Sequence, residues 1–125
     1  MNQNTNIEEL CDTIRETSYA IHCYLGTGFL EKVYENALVH RLKKQGIIAE
    51  TQVPLDVFDE DGTNIGEFFA DIIVENKIII ELKSCENIKK IHVAQLINYL
   101  KATSLEHGLL INFGSETFQI KKYIF

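Results

Sequence analysis

Two acids and a lysine stand in apolar surroundings near the middle of the chain. The run Ile78-Ile79-Ile80-Glu81-Leu82-Lys83 sets a carboxylate and an ammonium among aliphatic side chains, and Asp71 follows Phe68-Phe69-Ala70 in the same manner. Strands bury such groups only at a cost. The two-residue period of a strand puts Glu81 and Lys83 on one face and Ile80 and Leu82 on the other. Asp71 joins them only if a hairpin pairs it directly with Glu81, which requires a three-residue loop, Glu75-Asn76-Lys77, between Val74 and Ile78. A two-residue loop pairs Val74 with Lys77 and sends the acids to opposite faces. Asn76 tolerates the left-handed backbone that the longer loop needs.

Carboxylates held opposite each other repel unless a proton, a lysine or a metal ion compensates them. Oxygen donors favour Mg²⁺ or Mn²⁺, and Mg²⁺ keeps several waters while taking one or two carboxylates and a substrate phosphate. Lys83 then stands beside the ion. The competing reading is an exposed strand face carrying a Glu81–Lys83 salt link; spacing alone leaves both open.

The elements that must position these residues follow the order α, α, β, β, β, α, β, β. Asn6 with Glu9 opens a first helix that carries Ile7, Leu10, Ile14, Ile21 and Leu25 at helical spacing and ends at Gly26 and Gly28. A second helix, from about Phe29 to Gln45, is expected to bury Leu30, Val33, Ala37, Leu38 and Leu42, and Gly46 stops it. Strands follow over Thr51–Phe58, Ile65–Val74 and Ile78–Lys83, with a polar turn at Asp59–Gly62, and Pro54 marks the first as an edge strand. A helix over Ile88–Thr103 and strands over His107–Phe113 and Phe118–Ile124 complete an α/β sandwich of mixed strand direction.

With 125 residues, 46% of them hydrophobic and one proline, the chain reads as one domain, 1–125, with a buried core. No apolar run approaches the ~20 residues of a membrane helix, and the polar, acidic start Met1–Glu9 is unlike a signal peptide, so a cytoplasmic location and no membrane partner are expected. Cys11, Cys23 and Cys85 match neither a zinc pattern nor a disulfide framework and read as ordinary buried thiols. The net charge of −6 is polarised: residues 50–81 carry nine acids and one lysine, residues 82–104 four lysines and one glutamate. Lys83, Lys89, Lys90 and Lys101 with His92 could line a phosphate track.

Asp71, nine intervening residues and Glu81-Leu82-Lys83 resemble the PD-(D/E)XK nuclease signature, with Ala70 in place of its proline. Gly28-Phe29-Leu30-Glu31-Lys32-Val33-Tyr34 is similar to the GxxExxY motif of a small family within that superfamily. Gln95-Leu96-Ile97-Asn98-Tyr99 resembles the QxxxY motif on the helix after the catalytic strand in nucleases of the bacterial recombination-helicase type. The resemblance spans residues 20–113 and implies a restriction-endonuclease-like core, a central mixed β-sheet of about five strands flanked by helices. It implies Glu31 as a helix-borne acid near the metal, Asp71 and Glu81 as main ligands, and Lys83 as the catalytic lysine. Gln95 and Tyr99 would border the substrate, as would Tyr34 beside Glu31, and each motif's residues lie on one helix face. His92, one turn before Gln95, could touch a phosphate. Glu35 shares the face of Glu31 and is a candidate substitute for it, although a solvated surface glutamate is the favoured reading.

The reading that follows is a Mg²⁺- or Mn²⁺-dependent nuclease acting on phosphodiester bonds, with DNA as the expected nucleic-acid partner. Asp71, Glu81 and the carbonyl of Leu82 would hold the ion with Glu31 nearby, and Lys83 would act as a cation rather than a general base. The basic strip is short, so a homodimer or a protein partner is expected to supply grip and specificity. One rival is a catalytically silent nuclease-fold module that binds nucleic acid or a protein partner. Another is a small structural homodimer whose central charges only form salt links, with Tyr123-Ile124-Phe125 as its apolar end.

Overall fold

The structure, a computed structural model, describes residues 6–125; the first five residues of the expected unit lie outside the described residues. Helix α1 (Ile7–Leu25) begins where the sequence places it, with the Asn6 side chain accepting the Glu9 N–H at 2.8 Å. Helix α2 (Glu31–Lys44) starts two residues later than expected. That shift changes its buried face. Leu30 becomes the extended N-cap and is 80% exposed, and Val33 is exposed, whereas Tyr34, Glu35, Leu38 and Leu42 are buried. Tyr34, Leu38 and Leu42 repeat at i, i+4 and define the inward stripe, from which Val33 is rotated by about 100°.

Five strands form one sheet in the order β1 (Ala49–Phe58), β2 (Asn64–Val74), β3 (Ile78–Lys83), β4 (His107–Asn112) and β5 (Gln119–Ile124). Neighbours are antiparallel except β3 and β4, which run parallel because helix α3 (Lys90–Ala102) crosses over between them. Pro54 lies on an edge strand, as its missing N–H predicts. On one face, Leu10, Ile14, Leu38 and Leu42 of α1 and α2 pack against Ile72, Val74, Ile78, Ile80, Leu82, Leu109 and Ile111. On the other, Leu96 and Leu100 of α3 cover Ala70, Ile73, Ile79 and Leu110. The three layers are those of a restriction-endonuclease-like α/β core.

Two backbone features place the acids. Val74 pairs with Ile78, Ile73 with Ile79 and Ile72 with Ile80, so the loop between β2 and β3 holds the three residues that the functional register needs. Glu75 and Asn76 both adopt φ 52, and Lys77 N–H closes the turn on the Val74 carbonyl at 2.9 Å. The second feature has no counterpart in the sequence reading. Gln52 stands opposite Asp71 with φ 49, and the inward face changes there: Ile72 and Val74 face α1 and α2, but Ala70, Val53 and Leu55 pack on the α3 side. Regular alternation would keep Ala70 with Ile72. Asp71 therefore sits at a pivot between an inner sheet and an outer β1–β2 arm.

Of the cysteines expected to be buried, only Cys11 is; Cys23 is exposed and Cys85 half-buried, its thiol donating to the Asn87 carbonyl at 3.2 Å in the loop after β3.

Candidate active site

At the pivot the backbone ladder between β2 and β3 gives way to side chains. The Asp71 carboxylate accepts the Leu82 N–H at 2.8 Å, and the Glu81 carboxylate accepts the Asp71 N–H at 3.4 Å. Each acid thus takes a donor that the separating strands leave free, which holds both carboxyls in the gap. Glu81 is buried among apolar strands. Burial, then the Asp71 charge and a side-chain hydrogen bond to Asp71, push its pKa up to about 9 despite Lys83 nearby. It keeps its proton at neutral pH.

Glu31 is brought to this place by the loop that precedes α2. The Tyr34 hydroxyl donates to the Gly26 carbonyl at 2.7 Å and accepts the Phe29 N–H at 3.3 Å, and its ring stacks on Phe113 at 4.6 Å. From the far side, the Ser84 hydroxyl donates to the Phe29 carbonyl at 2.9 Å. The loop is clamped between α2 and the end of β3, and Glu31 follows it directly. Burial raises the Glu31 pKa, Asp71 and Glu35 raise it further, and Lys83 with the Ser84 backbone lowers it. Asp71 and Lys83 therefore act on both Glu31 and Glu81.

The loop after β3 is fixed just as tightly. Buried Asn112 accepts the N–H groups of Cys85 and Gly114 and donates to the Cys85 carbonyl at 2.9 Å, and Phe113 N–H donates to the Lys83 carbonyl at 2.8 Å. A Cβ on Gly114 would lie 2.2 Å from the Cys85 nitrogen, so only glycine fits.

Not every expected residue reaches the cleft. Tyr34 is fully buried and spends its hydroxyl on the loop, so its place is that of an anchor for Glu31 and not of a substrate contact. Glu31 does not join Asp71 and Glu81 in a three-ligand set: among the described residues, no group of three His, Cys, Asp or Glu side chains could hold a metal ion. On α3, Tyr99 is half-buried, and burial and the charges of Glu81 and Asp71 raise its pKa. Gln95 lies one turn earlier, exposed. His92 accepts the Lys89 N–H through Nδ1 at 3.1 Å, and burial, Lys83 and Lys89 lower its pKa.

Gln52 is the residue that sequence reasoning missed, and Glu35, a candidate substitute for Glu31, is the one it favoured as solvated. Glu35 is 3% exposed instead of solvated; it pairs with Lys32 and accepts the Gln52 side-chain amide at 2.8 Å. With Glu31, Asp71 and Leu82 these residues line a cleft of about 200 Å³. A wider groove of about 870 Å³ opens on the other side of Glu31, past Gly28, Ser84 and Cys85. The burial of Glu35 could have been anticipated from its neighbour Tyr34 once the helix start was known. Nothing marks Gln52 for positive φ.

The donor chemistry suits a hard divalent cation. The half-buried Asp71 and the buried Glu81 offer oxygen donors alone. Asp71 and Glu81 are the residues that would hold such a cation, with Asp71 and Leu82 lining the cleft.

Comparison with known proteins agrees with this fold. The model of the PD-(D/E)XK nuclease superfamily matches residues 8–123, and the chain belongs to that superfamily. Among solved structures, the crystal structure of SSO0001 superposes with a TM-score of 0.60 at 28% identity, covering 75% of this chain and 50% of that one. The chain thus spans about half the length of that structure. A search of curated proteins finds no match. Among the described residues, no helix is long and apolar enough to cross a membrane.

Proposed function

We propose that the protein is a divalent-metal-dependent nuclease of the GxxExxY type that hydrolyses phosphodiester bonds, with DNA as its substrate and the cytoplasm as its location. The observation that carries this reading is the pairing of half-buried Asp71 with buried Glu81, each carboxyl fastened to the other strand's backbone, beside Lys83 in a chain of the nuclease superfamily. When bound, the cation supplies Lewis acidity for the attacking water and the phosphate. Asp71 and Glu81 hold it in place, and the backbone donors of Leu82 and Asp71 fix how their carboxyls point. Lys83 offsets negative charge that grows on the phosphoryl oxygens. Glu31, set by the Tyr34 clamp, tunes the field at Asp71 and Lys83 from the α2 side. Gln95, Tyr99, His92 and Lys89 border the substrate along α3, and a second copy or a protein partner supplies the grip that a net charge of −6 withholds.

A nuclease-fold module that binds without cutting is favoured by one observation, that Glu31 does not close a three-ligand group. Cleavage of linear and circular single- and double-stranded DNA in Mg²⁺, Mn²⁺ or chelator separates the two. Cutting that needs the metal and falls at least about a hundredfold in Lys83→Ala, with an unchanged circular-dichroism spectrum, is the expected result. Binding with no cutting in either metal, or equal cutting by Lys83→Ala, overturns it.

A further inference from the structure

Tyr99 has a second role open to it, because its ring is also a wall. Between α3 and the outer β1–β2 arm lies a slot of about 640 Å³, walled by Val57, Phe58, Phe68 and Tyr99, with Asn98 and Lys101 on its rim. Consecutive strand residues ordinarily face opposite ways, yet Val57 and Phe58 both line the slot, because the β1–β2 register shifts between them. Phe68 stacks on Tyr99 with ring centroids 4.1 Å apart and planes 12° from parallel. Phe58 is 59% exposed. Lys101 lies 5.6 Å over the Phe125 ring and, among the described residues, in no ion pair, so no carboxylate neutralises its charge at the rim.

Flat apolar walls, an amide able to donate and accept on the rim, and an unpaired ammonium match a flat ring system with polar edges that is attached to a phosphate. A base inside a duplex cannot present its faces, since its neighbours cover them; an unpaired base can. The acids Asp56, Asp59 and Glu67 on the outer arm disfavour a long phosphate track there and suit the entry of a single nucleotide. Phe68, whose ring stacks on Tyr99 in the slot, stands on β2 three residues before Asp71. We propose that this slot takes an unpaired nucleobase of the strand whose phosphate lies at Asp71 and Glu81, so that single-stranded or locally unpaired nucleic acid is the substrate class. The placement relative to the cut rests on the nuclease reading; the base site itself does not.

Binding of fluorescent oligodeoxythymidine, oligouridine and a duplex of about twenty nucleotides, measured by anisotropy in chelator, tests it without cleavage. The full chain should prefer the single strands, and the stronger of the two homopolymers identifies whether DNA or RNA supplies the base. Phe58→Ala, on an exposed ring, should weaken single-strand binding by about tenfold and leave duplex binding unchanged, while Phe58→Trp restores it. Equal binding of single strand and duplex, or wild-type single-strand binding by Phe58→Ala, overturns the proposal. So does a Phe58→Ala variant that turns a dimer into a monomer with single-strand binding intact, which makes the slot a subunit contact. Phe58-dependent binding without metal-dependent cutting keeps the slot and removes the nuclease reading; metal-dependent cutting with Phe58-independent binding does the reverse.

Discussion

Ile80 and Glu81 are consecutive residues of the same strand, and they serve opposite ends. Ile80 pairs with Ile72 in an unbroken ladder, fully buried between α2 and the sheet. One residue further the strands separate, and two carboxyls fill the gap where backbone bonds would continue. The inner sheet is built so that every local preference agrees: β-branched side chains, matched register and apolar faces on both sides. The pivot violates those preferences at Gln52, Asp71 and Glu81 together, and it is there that the two acids meet. On the proposed nuclease reading, stability and chemistry occupy adjoining residues, and the fold gives up the first to hold the second.

The largest effect that could break this contrast is on the stable side. Ile80→Ala should lower unfolding free energy by about 2–5 kcal/mol, since it removes buried methyl groups and leaves a cavity; a loss below about 1 kcal/mol in urea denaturation would show that the inner ladder is not the anchor. Glu81→Gln should do the opposite. The Glu81 pKa is raised to about 9, so below the ordinary carboxylate range both folded and unfolded chains hold the proton and the substitution changes little. As pH rises through the unfolded value the unfolded chain ionises while the folded one does not, and the wild type loses stability until the pH passes the folded value. At pH about 8, without metal, Glu81→Gln should therefore be more stable by roughly 2–4 kcal/mol, and equal to wild type near pH 4. A pH-independent difference would remove the desolvated, proton-holding Glu81 from the account.

Much of the inner sheet was legible in the sequence, and little of the pivot. The strand Ile78–Lys83 and the three-residue loop follow from alternation and from the demand that two acids meet, because a one-residue slip would reverse every face. Helix α1 follows from its cap and its apolar spacing. The face of α2 was misread because Leu30 and Val33 are as apolar as the residues that are buried, and only the true start at Glu31 selects Tyr34, Leu38 and Leu42. Gln52 and the register shift at Phe58 were invisible: positive φ in a glutamine and a bulge between two apolar residues are imposed by the sheet's change of face, not by local preference. For the same reason the Tyr99 slot has no sequence signature, although Tyr99 does.

The smallest predicted effect sharpens the contrast at its hinge, the turn that sets the register. Glu75 and Asn76 both hold φ 52, a conformation that costs every residue except glycine and costs asparagine least. Glu75 recovers part of that cost, since its carboxylate accepts the Ile48 N–H at 3.2 Å and its own N–H donates to the Ile48 carbonyl at 2.8 Å. Asn76 is exposed, so it can be changed without disturbing a neighbour's packing. Asn76→Gly should thus stabilise the fold by about 0.5 kcal/mol, visible as a small rise in the denaturation midpoint with an unchanged slope. Because the substitution favours the register that sets Asp71 opposite Glu81, it should leave metal-dependent cleavage intact. A loss of cleavage together with a gain in stability would mean that the pairing competent for chemistry is not the one the turn favours.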